Sequence, residues 1–134
     1  MADECIFCMI CAKQLNIIYS TDRHVVIADI NPLAKGHLLV IPRKHAQYFH
    51  ELEDQDILPI LPLIKMIVKK CGIIKYNILQ NNGHIQSVPH VHFHIIPYVN
   101  DSECLRITWK VAKVDSDYVQ KIIEDSVSKL NAEN

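Results

Sequence analysis

Apolar residues group along the chain in two different rhythms, and these predict the elements. Ile17–Tyr19 and His24–Ile30 read as two strands of a hairpin, the second carrying the β-branched run Val25-Val26-Ile27 after the polar link Ser20-Thr21-Asp22-Arg23. Asn31-Pro32-Leu33-Ala34-Lys35-Gly36 combines proline and glycine as a loop, and His37–Ile41 then forms a buried strand stopped by Pro42. Between Asp54 and Cys71 the rhythm changes. Ile57, Leu58, Leu61, Ile64, Ile67 and Val68 recur at helical spacing, and Gly72 supplies the stop. Pro59 suits a first turn, whereas Pro62 lies further in and should kink the helix or delay its start.

Lys75–Gln80 has strand character, Asn81-Asn82-Gly83 is a turn, and His90–Ile96 is a strand ended by Pro97. Leu105–Val114 around Trp109 reads as extended, and Asp115–Leu130 returns to helical spacing through Val119, Ile122, Ile123 and Val127. No internal repeat or low-complexity tract interrupts this order. Consecutive strands, one long central helix and a C-terminal helix predict an α+β domain on a mostly antiparallel sheet.

Composition narrows the function classes. The 134 residues are the material of one domain, 1–134, and 49% hydrophobic against 22% charged residues is enough to bury a core. Fourteen Lys and Arg balance fifteen Asp and Glu, for a net charge of −1. Such a surface lacks the cationic excess that grips long nucleic acids or anionic membranes, although a small nucleotide needs only a few aimed donors. The five cysteines are odd in number, and Cys5, Cys8 and Cys11 are too closely bunched for easy bridges among themselves. Cys71 and Cys104 read as buried thiols. With acidic Asp3 and Glu4 ahead of a short apolar run, and with no apolar stretch near transmembrane length, the reading is a reduced, intracellular protein of the cytoplasm or nucleus.

The chemistry concentrates in His90-Val91-His92-Phe93-His94. The period of two in a strand places the three imidazoles on one face and Val91, Phe93 and Ile95 on the other. With eight histidines in the chain, such a triplet arises by chance in about 3% of comparable sequences. Three imidazoles in a row point to a metal site or to proton and phosphate handling. A catalytic zinc held by all three is one such reading, but it leaves Cys5, Cys8 and Asp29 without a role.

His-φ-His-φ-His-φ-φ, where φ is apolar, resembles the signature of the histidine triad (HIT) family of nucleotide hydrolases and transferases. Cys5-Ile6-Phe7-Cys8, Asp29-Ile30-Asn31-Pro32, the segment Gly36–His45 and Asn81-Asn82-Gly83 stand in the family's order, so the resemblance spans residues 4–98 as a core, with 99–134 as an extension. The N-terminal C-x2-C is similar to the Hint-like branch, and the region around Trp109 to the tail of its bacterial-type members. This likeness implies a five-stranded antiparallel sheet, with two protomers joining in a homodimer. It further implies release of AMP or GMP from a purine nucleotide conjugate, foremost a phosphoramidate. His92 would be the nucleophile that forms a nucleotidyl-histidine, and His94, His90 and Ser87 its catalytic company. Imidazole suits that role, because near neutral pH one ring nitrogen keeps a free lone pair while the other can be fixed by a carbonyl.

By the same resemblance Asp29 would accept hydrogen bonds from both ribose hydroxyls, a match between two carboxylate oxygens and a vicinal diol. Phe7, Ile10, Ile27, Ile30 and Leu39 would form the slot for the base, with His37, Asn81 and Gln86 lining the site. Cys5, Cys8, His45 and His90 would complete a structural Cys2His2 zinc site. Only His84-Ile85 separate Gly83 from Gln86, a shorter loop than in many relatives. Two other readings compete: a dinucleoside polyphosphate hydrolase, and a zinc-stabilised nucleotide-binding or interaction module with little turnover.

Overall fold

In the computed structural model, which describes residues 4–133, the elements follow in the order α1 (Ile6–Lys13), β1 (Tyr19–Ser20), β2 (His24–Ala28), β3 (Leu38–Pro42), α2 (Asp54–Ile57), α3 (Ile60–Lys70), β4 (Tyr76–Gln80), β5 (Phe93–Pro97) and α4 (Tyr118–Leu130). The five strands form one antiparallel sheet in the order β1-β2-β3-β5-β4, the α+β arrangement that the hydrophobic rhythm predicts.

Register divides the sheet into two working faces. Val26 pairs with Val40 and Val40 with Phe93, and all three are buried against Ile60, Leu63, Ile64, Ile67 and Val68 of α3. One residue along, Ile27 pairs with Leu39 and Leu39 with His94, which places a histidine at the end of an apolar row on the opposite face. Phe7 and Cys11 of α1 pack on that second face with Val25, Ile27, Leu39 and Ile41. The site therefore lies on the α1 side of the sheet, with α3 supporting it from behind.

Both prolines leave their mark on the central helix. The chain makes the single turn of α2, breaks at Leu58-Pro59 and restarts as α3, where Pro62 occupies the third helical position and its missing N–H has no helical partner to lose. After Lys70 the chain turns through Gly72 at φ +68°. The Ile73 amide donates to Val68 O and the Gly72 amide to Lys69 O, the paired bonds of a Schellman stop.

Several boundaries differ from the sequence reading. β1 is shifted to Tyr19–Ser20, and β2 ends at Ala28, just before Asp29. The triad strand starts only at Phe93, because the Val91 amide donates to Ala46 O in the loop beyond β3 and not to a strand neighbour. Leu105–Val114 forms no strand and is exposed from Arg106 onward, and α4 buries no residue. Cys71 and Cys104 are not buried thiols: Cys71 is exposed as the C-cap of α3, and Cys104 is only half-buried in the turn after β5. Among the described residues no helix is long and apolar enough to cross a membrane.

Candidate active site

The segment before β5, a bend through His90 and then irregular chain, delivers His90 and His92 to the α1 side, and β5 itself delivers His94. Val91, Phe93 and Ile95 alternate into the core behind them. His90 and His92 are buried and His94 is largely so. The three rings are thus not half-exposed strand histidines, and a buried imidazole calls for at least one hydrogen-bond partner.

The partners are present. His92 Nδ1 lies 2.7 Å from the carbonyl oxygen of His90, which can only accept, so Nδ1 carries the proton and Nε2 keeps its lone pair. The edge of Phe7 packs against the His92 ring at a centroid distance of 5.0 Å. Burial lowers the pKa of His92 below the ordinary histidine value, against the raising effects of the His90 carbonyl and Asp29. Burial pushes His94 down to about 4, with His92 and His37 adding to it and Asp29 opposing. Both rings are therefore neutral at pH 7, the state in which an imidazole can act as a nucleophile.

A cleft of about 240 Å³ opens beside these rings, lined by Phe7, Ile10, Ile27, Ile30 and Leu39 at its apolar part and by Asp29, Ser87, His92 and His94 at its polar part. All five predicted slot residues thus meet on one cavity, with Ile30 standing exposed at the rim. Asp29 Oδ1 accepts the Asn31 amide at 2.8 Å, and Oδ2 turns toward His37 and His94 at 3.5 and 3.9 Å. His37 is buried behind His94 and does not line the cavity. Asn81 and Gln86 lie outside the lining as well. In the short loop after Gly83, Gln86 folds back, accepting the Gly83 amide and donating to Gln47 O. Ile6, Ala28, Asn31 and Val88 line the cleft without having been predicted, each one or two residues from a predicted neighbour. A larger cleft of about 660 Å³ at the far end of α3 contains neither histidine nor carboxylate in its lining.

Cys5, Cys8, His45 and His90 converge near the cleft of about 240 Å³, with their ligand atoms all within 4.8 Å of one another. Cys5 Sγ to His90 Nδ1 is 3.3 Å, Cys8 Sγ to His45 Nδ1 3.3 Å and to His90 Nδ1 3.5 Å, and the two Nδ1 atoms are 3.1 Å apart. Zinc bonds of about 2.0 Å to nitrogen and 2.3 Å to sulfur give tetrahedral edges of roughly 3.3–3.8 Å, so these donors fit such an ion. His90 Nε2 is 2.7 Å from Pro42 O and must donate to it, which leaves the Nδ1 lone pair aimed at the thiols. Burial, then Cys5, pushes the Cys8 thiol up to about 11, so metal binding must displace a firmly held proton. Cys11 is buried nearby but outside the group.

Comparison with known proteins agrees with this geometry. Residues 12–101 match the HIT domain family. The adenosine 5'-monophosphoramidase of Schizosaccharomyces pombe is 41% identical over 131 residues, covering 95% of this chain and 98% of that enzyme. A histidine triad nucleotide-binding protein from Candida albicans superposes with a TM-score of 0.86 at 34% identity, covering 95% of this chain and 97% of that one. A hypothetical protein from Leishmania major gives 0.82 at 38% identity, over 97% and 98% of the two chains.

Proposed function

Since the chain belongs to the HIT domain family, we propose that it is a hydrolase that releases a purine nucleoside monophosphate from a nucleotide conjugate, foremost an adenosine phosphoramidate. The observation that carries this reading is the His92 ring, neutral and held by the His90 carbonyl so that its Nε2 keeps a lone pair, on a ring that lines the cleft of about 240 Å³. The base lies among Phe7, Ile10, Ile27 and Leu39, and the ribose hydroxyls donate to Asp29. His92 Nε2 attacks the α-phosphorus as the bond to the leaving amine breaks and the amine takes a proton from solvent. Water then displaces His92 from phosphorus and returns a proton to solvent, regenerating the neutral ring and releasing the nucleotide. His94 and Ser87 donate to non-bridging oxygens, where positioning and electrostatics govern phosphoryl transfer.

Cys5, Cys8, His45 and His90 would hold a structural zinc, which would fix His90, whose carbonyl holds His92. The active form is a homodimer, and residues 1–134 make up one domain with a core of 4–98 and a C-terminal extension of 99–134. Support comes from the exposed edge of β4 and from the apolar residues of α4, none of which is buried within one chain.

Wild type and His92→Ala are incubated with adenosine phosphoramidate and, in parallel, with a diadenosine polyphosphate, and AMP release is followed. The expected result is preference for the phosphoramidate and a loss of several orders of magnitude in the variant. Preference for the polyphosphate moves the protein to the other hydrolase class. Binding of AMP without turnover of either substrate makes it a binding module.

A further inference from the structure

A neutral imidazole has one N–H and one lone pair, so a fixed partner at one nitrogen dictates what the other can do. The Leu33 amide lies 3.1 Å from Nδ1 of His37. A main-chain amide only donates, so Nδ1 of His37 holds the lone pair and its proton sits on Nε2. That Nε2 is 2.9 Å from Nδ1 of His94, a full hydrogen bond, and 3.5 Å from Asp29 Oδ2, at the limit of one. Nε2–H of His37 therefore donates to Nδ1 of His94. With Nδ1 accepting, His94 must carry its own proton on Nε2, the nitrogen not engaged by His37, on a ring that lines the cleft.

We propose that His37 is a positioning residue that relays the direction of the Leu33 amide to His94, locking His94 as an Nε2–H donor toward the substrate phosphate. The phosphate rests on the hydrolase reading above, whereas the tautomer does not. Reversed, the ring would present a lone pair to a phosphate oxygen and repel it. Burial lowers the pKa of His37 against the pull of Asp29, in keeping with a ring whose Nδ1 must stay unprotonated to receive Leu33. The same amide argues against a cation among Asp29, His37 and His94, although their ligand atoms lie within 4.8 Å. While Leu33 holds Nδ1, the proton on Nε2 leaves His37 no lone pair to give there.

The loop thus does work that no side chain in it reveals. Pro32 and Gly36 bend the chain so that the Leu33 amide points inward, and the Asp29 amide donates to His37 O at 3.0 Å, holding the backbone of His37 in place.

The test uses the full chain labelled with 15N-histidine. Long-range proton–nitrogen spectra at pH 7.5 report the tautomer of each ring without substrate. Both His37 and His94 should show a protonated Nε2 and a bare Nδ1. His37→Gln keeps an N–H donor near the Nε2 position and should retain the His94 tautomer and most of kcat. His37→Leu should leave His94 a mixture of tautomers and lower kcat about 10- to 100-fold, the loss of one hydrogen bond to a charged acceptor, with its fold checked by circular dichroism. A wild-type His94 protonated at Nδ1, or an unchanged His94 spectrum in folded His37→Leu, overturns the proposal. Correct tautomers in a protein that releases no nucleotide would sink the hydrolase reading and leave the relay standing.

Discussion

In the unfolded chain His94 titrates near 6.5, and in the folded protein burial, His92 and His37 hold it at about 4. Between these values the unfolded chain binds a proton that the folded protein refuses, so stability rises with pH across this window and levels off above about 6.5. The urea midpoint should therefore fall as pH is lowered from 7 toward 4, and fall less steeply in His94→Gln. Equal slopes in the two proteins would show that His94 is not the titrating group. The triad itself was legible at this scale, since its spacing sets three rings opposite Val91, Phe93 and Ile95. Asp29 and the five slot residues came from the family resemblance and not from spacing, and all six line one cleft. The setting of His37 was not legible, because its partner at Nδ1 is a main-chain amide, and every residue but proline carries one.

Elements hold these residues in place from two sides. On one side α1 is tied to the sheet by Phe7 and Cys11 and by the Cys5, Cys8, His45 and His90 cluster, since otherwise only eight helical residues would rest there. Ligand binding to the folded state alone stabilises it, so removing a tightly held metal should lower the melting temperature on the order of 10 °C. Calorimetry with and without chelator, alongside metal analysis, checks this; Cys8→Ser should melt like the chelated wild type. One zinc per chain is the expected content. On the other side α3 supplies the backing. Ile64 is 2% exposed in the core, and Ile64→Ala should cost about 2–4 kcal/mol in urea unfolding, whereas exposed Lys65→Ala on the same helix should stay within about 0.5 kcal/mol. The helix break at Leu58-Pro59 and the stop at Gly72 could be read from proline and glycine. The late start of β5 could not, because it depends on where Ala46 offers its carbonyl, a contact 45 residues distant in sequence.

One chain leaves apolar surface uncovered. β4 is the outermost strand, with Tyr76 and Ile78 exposed, and Ile78 pairs with Ile95 and so lies on the α3 side of the sheet. On that side Leu58 and Leu61 stand 73% and 62% exposed beside Phe49 and Phe93. An edge strand flanked by large apolar side chains is a template for pairing, and a second copy of the chain would satisfy it with a closed two-fold contact. Sequence periodicity cannot separate this surface from core, because Leu61 and Ile64 fall in the same apolar rhythm and only the packed helix shows which one is covered. Light scattering on the eluted protein should give twice the 15.4 kDa of one chain. Ile78→Glu places a charge at the centre of the edge without touching the buried core, and should return the mass to that of a single chain while the helical circular dichroism persists. A wild-type particle of 15.4 kDa would leave the apolar edge of β4 unexplained and remove the dimer.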